Sequence, residues 1–190
     1  VRTINHYEGE QPLFLKISFA RPHSPYDPPQ RILEMYENIE IPAPAEGEWS
    51  KHIGKDITDP KADSSAAFAQ FSTEYVKNTR KHYYAAVTFI DEQVGRIVKA
   101  LKEKGMYDNT IICFTSDHGD MMGDHHSWRK TYAYEGSAAI PMIIKTPKDV
   151  EGVHCRGKVI ENPVELRDIL PTFLDAAWGE TPEAKDGRTI

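Results

Sequence analysis

A chain of 190 residues is long enough for one substantial core and too short to argue for two, so a single domain is expected. The formal net charge of −6, with 29 acidic and 23 basic residues interspersed, gives no reason to expect nucleic-acid binding, which needs a basic patch or stripe. Two cysteines, Cys113 and Cys155, offer neither metal-ligand spacing nor a disulfide framework, and no apolar run reaches the roughly 20 residues of a membrane span.

The chain opens at Val1 with no signal-peptide pattern, and its first apolar run arrives almost at once, as expected of a piece of a longer protein. Residues 13–20 (LFLKISFA) alternate and then fill with apolar side chains, predicting a core strand. The run exits into Arg21-Pro22-His23-Ser24-Pro25-Tyr26. Each proline fixes its own φ and restricts the residue before it, so His23 is either pre-oriented for chemistry or an exit-loop histidine bonded to a backbone carbonyl.

Residues 27–65 are punctuated by Pro28, Pro29, Pro42, Pro44, Pro60, Gly47 and Gly54. A short helix is expected over 31–38. The remainder reads as a long excursion forming a wall of the substrate cleft, with nothing chemical in it. A long helix is expected over 66–106, with a break near Asn78 and a stop at Gly105. Val87, Ile90, Val94, Ile97 and Leu101 form its apolar stripe against the sheet. Tyr75, Tyr83 and Tyr84 read as packing residues and Asp91 as a surface charge.

Ile111, Ile112, Cys113 and Phe114 form a continuous apolar run, the pattern of a strand buried on both faces, with Cys113 a small core residue. Polarity then inverts at Ser116, Asp117, His118, Gly119 and Asp120, where the strand should end and where open α/β sheets bind ligands. Asp117 offers oxygen and His118 nitrogen to a metal, with Gly119 permitting a turn at positive φ. The alternative is a plain turn in which Asp117 bonds nearby amides. Trp128, Arg129 and Lys130 place an aromatic and two cations near the same loop, as an anion would require. His125 and His126 are neighbours, and on an extended segment only one of them faces the pocket; His125 is the candidate substrate contact. Asp120 and Asp124 read as loop-structuring carboxylates.

Residues 141–145 predict another short strand and 146–158 a polar connection. A helix is expected over 163–178, burying Val164, Leu166, Ile169, Leu170, Phe173 and Leu174, with a kink at Pro171 and a stop at Gly179. The alternation predicts an α/β fold with a mostly parallel sheet and helices on both faces.

Four blocks in this order, RPHSPY, YYAAVTFIDEQVGRIVKALKEKG, TSDHGDMMGDHHSWRKTYAYEGSAAIPMIIKTP and VELRDILPTFLDAAW, resemble the second part of the catalytic domain of the formylglycine-dependent sulfatases, in the alkaline phosphatase superfamily. The resemblance implies an incomplete alkaline phosphatase-like fold lacking the N-terminal half. It implies that Asp117 and His118 ligate a divalent cation, calcium by family pattern, whereas an imidazole ligand by itself suits zinc or manganese better. It further implies that Lys130 and His23 hold the sulfate, with His23 a proton donor to the leaving alcohol.

The family nucleophile sits in a Cys-x-Pro-x-Arg setting that neither Cys113 nor Cys155 has. Formylglycine and further metal ligands are therefore expected in the missing half, which becomes a required partner, and this chain alone is expected to be inactive. The implied substrate is a sulfated small molecule or sulfated glycan, and the implied location periplasmic or secreted. Two other functions compete: a phosphodiesterase or phosphonate monoester hydrolase of the same superfamily, and a non-catalytic anion- or sugar-binding module.

Overall fold

The longest element, α3 (Thr73–Glu103), is a helix of 31 residues, and its two ends explain its limits. Ser72 caps the N-terminus, its side chain accepting the Tyr75 amide at 3.2 Å, so the helix starts later than the apolar pattern suggests. At the other end Gly105 adopts φ +71, and the Gly105 and Met106 amides return to the Lys102 and Leu101 carbonyls, the paired closure that left-handed glycine allows. Asn78 lies within unbroken helix. The computed structural model describes residues 1–59, 61, 66–130, 132–148, 157–178 and 187–190; Pro60, Cys155 and Gly179 lie outside them.

Before α3 come α1 (Arg2–Asn5) and α2 (Gln30–Leu33), the latter running into a 3-10 turn over Glu34–Tyr36 that completes the short helix expected there. Ile4, Ala100 and Leu101 form a buried cluster against which Ile97, Met106, Tyr107 and Ile112 pack. Each fully buried side chain of that size contributes about 1.5–3 kcal/mol, so this cluster ties α1 and the end of α3 to the strand that carries the site. Ala85 and Ala86 are also buried, and Tyr36 bonds Thr88 Oγ1 at 2.6 Å, holding α2 and its turn on the helix. Val87 does not join the stripe: it is 44% exposed. Asp91 is a surface charge, as expected.

Two strands, β1 (Ile112–Thr115) and β2 (Met142–Lys145), pair with Ile112 opposite Lys145 and Thr115 opposite Met142. The α/β class holds, but this pair is antiparallel where parallel neighbours were expected. The reason is the connection. After Thr115 the chain folds a loop at the strand's carboxyl end and re-enters the sheet there, without the long crossover that would return it to the other end. β1 is half-buried along its length rather than buried on both faces. Residues 13–20 form no strand among the described residues, and all eight are exposed, Phe14 at 75%. Extended backbone becomes a strand only when a neighbour supplies ladder hydrogen bonds, and no strand among the described residues pairs with this segment.

The last helix, α5 (Ile169–Trp178), follows a 3-10 turn over Leu166–Asp168. Pro171 falls in its first turn, where a missing N–H costs nothing, so it does not act as a kink. Leu166 and Leu170 are exposed, at 39% and 59%, instead of buried.

Candidate active site

β1 delivers the chain into a loop, residues 116–130, whose backbone is held in an unusual shape. Met122, His125, His126 and Arg129 have φ of 48, 53, 57 and 69. Left-handed conformations in side-chain-bearing residues cost about 1–3 kcal/mol each and persist only where surrounding contacts over-determine them. Here two carboxylates do so. Asp120 Oδ1 accepts the Met122 and Arg129 amides at 3.1 and 2.9 Å, and its Oδ2 accepts the Tyr26 hydroxyl at 2.8 Å. Asp124 Oδ1 accepts the Ala45 amide at 2.9 Å and Arg80 Nη1 at 3.1 Å. Both therefore structure the loop, as expected from the sequence.

Gly119 is required for a reason other than the expected positive φ. Its amide donates to the Ser137 carbonyl at 2.8 Å, and a Cβ there would run into the Gly136 carbonyl oxygen. This close approach pins α4 (Glu135–Ala138) against the residue beside His118.

Within the loop Lys130 Nζ lies 2.8 Å from His118 Nε2. An ammonium only donates, so Nε2 is the acceptor; the other ring nitrogen, Nδ1, then carries the proton it donates to the Gly119 carbonyl at 2.7 Å. His118 is thus held as the tautomer with its Nε2 lone pair facing Lys130. Asp117 Oδ2 lies 3.6 Å from that nitrogen, with the aspartate side chain 84% exposed.

His23 joins them from the loop after residue 20. Its ring centroid is 6.4 Å from that of His118. Its Nδ1 donates to the Ser24 carbonyl at 2.9 Å, which is the carbonyl-bonded arrangement foreseen for an exit-loop histidine, and it leaves Nε2 as the nitrogen for chemistry. Both flanking peptide bonds, Arg21–Pro22 and Ser24–Pro25, are cis. Arg21 and Asp27 form a two-point ion pair across the base of this loop, which raises the arginine and lowers the aspartate from their usual values through their shared hydrogen bond. Tyr26 ties the loop to the rest: its hydroxyl reaches Asp120, its carbonyl accepts His82 Nδ1 of α3 at 3.0 Å, and its ring meets Tyr83 edge-on. Burial first, and Asp120 second, push the Tyr26 phenol well above its ordinary value.

His23, His118, Lys130 and Asp117 are therefore gathered at one place. No group of three or more His, Cys, Asp or Glu that could hold a metal occurs among the described residues. Asp117 and His118 supply one oxygen and one nitrogen, a fitting part of a divalent-cation shell that needs further ligands. The Nε2 lone pair such a cation would use is the one that accepts from Lys130.

His125 stands elsewhere. Its ring packs against Trp49 at 4.7 Å and Tyr134 at 5.1 Å. Neither histidine of the 125–126 pair lies on extended backbone, so the alternating-face argument does not apply to them. Trp128 is not at the anion site either: it is 6% exposed, donates to the Ala69 carbonyl at 3.2 Å and meets Phe71 at a tilt and Tyr75 edge-on. The Arg129 backbone donates to Asp120 and accepts from Met121. Tyr83 and Tyr84, with Arg80, Asp120 and Asp124, line a cavity of about 190 Å³ that includes none of the four gathered residues. Trp49 was missed because a lone tryptophan in a proline-rich excursion carries no periodicity; its contact to His125 is long-range.

The sequence profile of the Sulfatase family matches residues 2–180. An arylsulfatase of Clostridium perfringens is 41% identical over 189 residues, covering 96% of this chain and 37% of that protein. A choline-sulfatase of Rhizobium meliloti is 34% identical over 178 residues, covering 91% of this chain and 33% of that protein. Among solved structures, a phosphonate monoester hydrolase of Agrobacterium radiobacter superposes with a TM-score of 0.77 at 30% identity, over 96% of this chain and 38% of its own. The chain thus spans about a third of the length of the relatives it matches.

Proposed function

The chain belongs to the sulfatase family of the alkaline phosphatase superfamily, and from that premise we propose that it carries the anion-handling part of the active site of a sulfuric ester hydrolase. The observation that carries this reading is the approach of Lys130 Nζ to His118 Nε2 at 2.8 Å with the His23 ring 6.4 Å from His118. One amine and two imidazoles are brought together, groups of the kind that hold a tetrahedral oxyanion.

In the reaction the sulfur–oxygen bond to the alcohol breaks and its electron pair stays on the alcohol oxygen. Lys130 offsets negative charge on the sulfuryl oxygens; removing one such preorganised group costs about 10²–10³ in rate. His23, whose Nδ1–H is engaged with Ser24, delivers a proton from Nε2 to the departing oxygen, a role worth about 10²–10⁴. Asp117 and His118 would contribute two ligands to a divalent cation that polarises the sulfuryl oxygens, calcium by family pattern and manganese or zinc by the nitrogen donor. The nucleophile, formylglycine by family pattern, and the remaining ligands belong to the part of the protein beyond this chain, which is its obligatory partner. A sulfated small molecule or sulfated glycan is the substrate, met in the periplasm or outside the cell.

A second reading, phosphonate monoester or phosphodiester hydrolysis, is favoured by the likeness to the phosphonate monoester hydrolase, because the same groups hold any tetrahedral oxyanion. Assaying the complete protein against an aryl sulfate, an aryl phosphonate monoester and a phosphodiester decides between them. The sulfatase reading expects the highest kcat/KM on the sulfate; a preference for the phosphonate overturns it.

A further inference from the structure

Three rings form a triangle, one of them on the loop that also carries His118 and Lys130. Trp49 and Tyr134 stand near-parallel, 20° apart with centroids at 5.7 Å, and His125 closes the third corner at 4.7 and 5.1 Å. Two of them present large surfaces outward: Trp49 is 47% exposed and Tyr134 40%. Contiguous exposed aromatic area held in a fixed orientation marks a surface on which something lies.

The arrangement is held from several directions. His125 keeps a left-handed backbone, φ 53, and its amide donates to the Ala45 carbonyl at 2.7 Å. Among the described residues its Nδ1 is buried without a hydrogen-bond partner, so ring packing orients the imidazole. Trp49 sits in a 3-10 turn (Glu48–His52), and its indole folds back over Gly47 so closely that a Cβ there would lie 2.5 Å from Nε1. Tyr134 precedes α4, which the Gly119–Ser137 hydrogen bond fastens beside His118. Tyr134 lies four residues beyond Lys130, so their Cα atoms are at most about 14 Å apart. Tyr134 and Lys130 thus leave the same short segment, and His125 and His118 the same loop.

We propose that Trp49, His125 and Tyr134 form a stacking platform for the ring of the alcohol released from the sulfate ester, which makes an aryl or pyranose sulfate the substrate rather than an acyclic one. This rests on the sulfatase reading above. Ring spacing argues against a cage for a quaternary ammonium group. Two ring faces with an atom layer between them need two van der Waals contacts, about 7–8 Å, and the two near-parallel rings are closer than that. What remains available is their outer, solvent-facing surface, which suits a flat ring. The platform sets specificity and touches no reacting atom.

The test uses the complete protein with nitrophenyl sulfate, a methyl pyranoside 6-sulfate and choline sulfate. Trp49→Ala and Tyr134→Ala should raise KM for at least one of the two ring esters about tenfold, with kcat little changed. Choline sulfate should be unaffected, and Trp49→Phe, which keeps a flat face, should restore most of the loss. Equal losses on all three esters, or a larger loss on choline sulfate, would overturn the platform. Calorimetry with free nitrophenol and with the unsulfated methyl pyranoside separates this from the sulfatase reading. If no sulfate ester is turned over but the wild type binds one of these ring alcohols about tenfold better than Trp49→Ala, the platform stands and the reaction assignment falls. Equal binding of both by the two proteins sinks the platform whatever the reaction.

Discussion

The Tyr26 hydroxyl donates to Asp120 Oδ2 at 2.8 Å across 94 residues of sequence, and this one bond joins the loop of His23 to the loop of His118 and Lys130. Removing the donor with Tyr26→Phe leaves a part-buried carboxylate oxygen short of a partner, a loss of about 1–3 kcal/mol. Thermal unfolding of the complete protein should shift down accordingly, and activity should fall further than stability because His23 loses its tether. The pH dependence follows from the raised phenol. A group whose folded pKa exceeds its unfolded value contributes stability below the unfolded value, near 10, and loses it as pH rises beyond. Alkaline unfolding above about pH 10 should be steeper in the wild type than in Tyr26→Phe.

Asp168 makes the opposite prediction at the acid end. It is buried, its two oxygens accepting the Glu165 and Arg188 amides at 2.9 Å each, and these bonds lower its pKa. A depressed carboxylate contributes stability above its unfolded value, near 4, that disappears as pH falls through the lower folded value. Asp168→Asn should be less stable at neutral pH and show a shallower loss between about pH 5 and 2, read by denaturant midpoints across pH.

Asp117 and His118 should govern cation affinity. Chelation should abolish turnover by the complete protein. Asp117→Ala and His118→Ala should each weaken cation binding by more than the roughly 10–100-fold typical of groups that only support a ligand, measured by calorimetry. Unchanged affinity in both variants would exclude them as ligands.

Much of this was legible in the letters, where the determinants are local. The stretch from β1 to Lys130 places Asp117, His118 and Lys130 on one loop, whereas the two prolines left His23 open between a chemical and a plain exit-loop histidine, and only the family resemblance implied that it joins them. α3 was legible from its apolar spacing, although its start depended on the Ser72 cap. Contacts between distant residues were not legible: Trp49 on His125, Tyr26 on Asp120 and Trp128 on Ala69 each need the tertiary fold. The antiparallel return of β2 depends on the path of the intervening loop, which periodicity does not encode. Residues 13–20 show the same limit, since strand propensity describes the side chains and not whether a neighbour stands beside them.

The N-terminal cap of helix α3 offers a control that involves none of the four gathered residues. Ser72→Ala removes the cap on the Tyr75 amide and should cost about 1 kcal/mol in stability, seen by thermal unfolding, with kcat unchanged.

The most direct test of a shared anion site is a double-mutant cycle on the complete protein, using His23→Ala, Lys130→Ala and the pair, with kcat/KM for an aryl sulfate as the readout. Each single change should cost about 10² or more, and the double should lose much less than the product of the two, as groups acting on one transition state do. Losses that multiply independently, or a His23→Ala variant with full activity, would contradict the account.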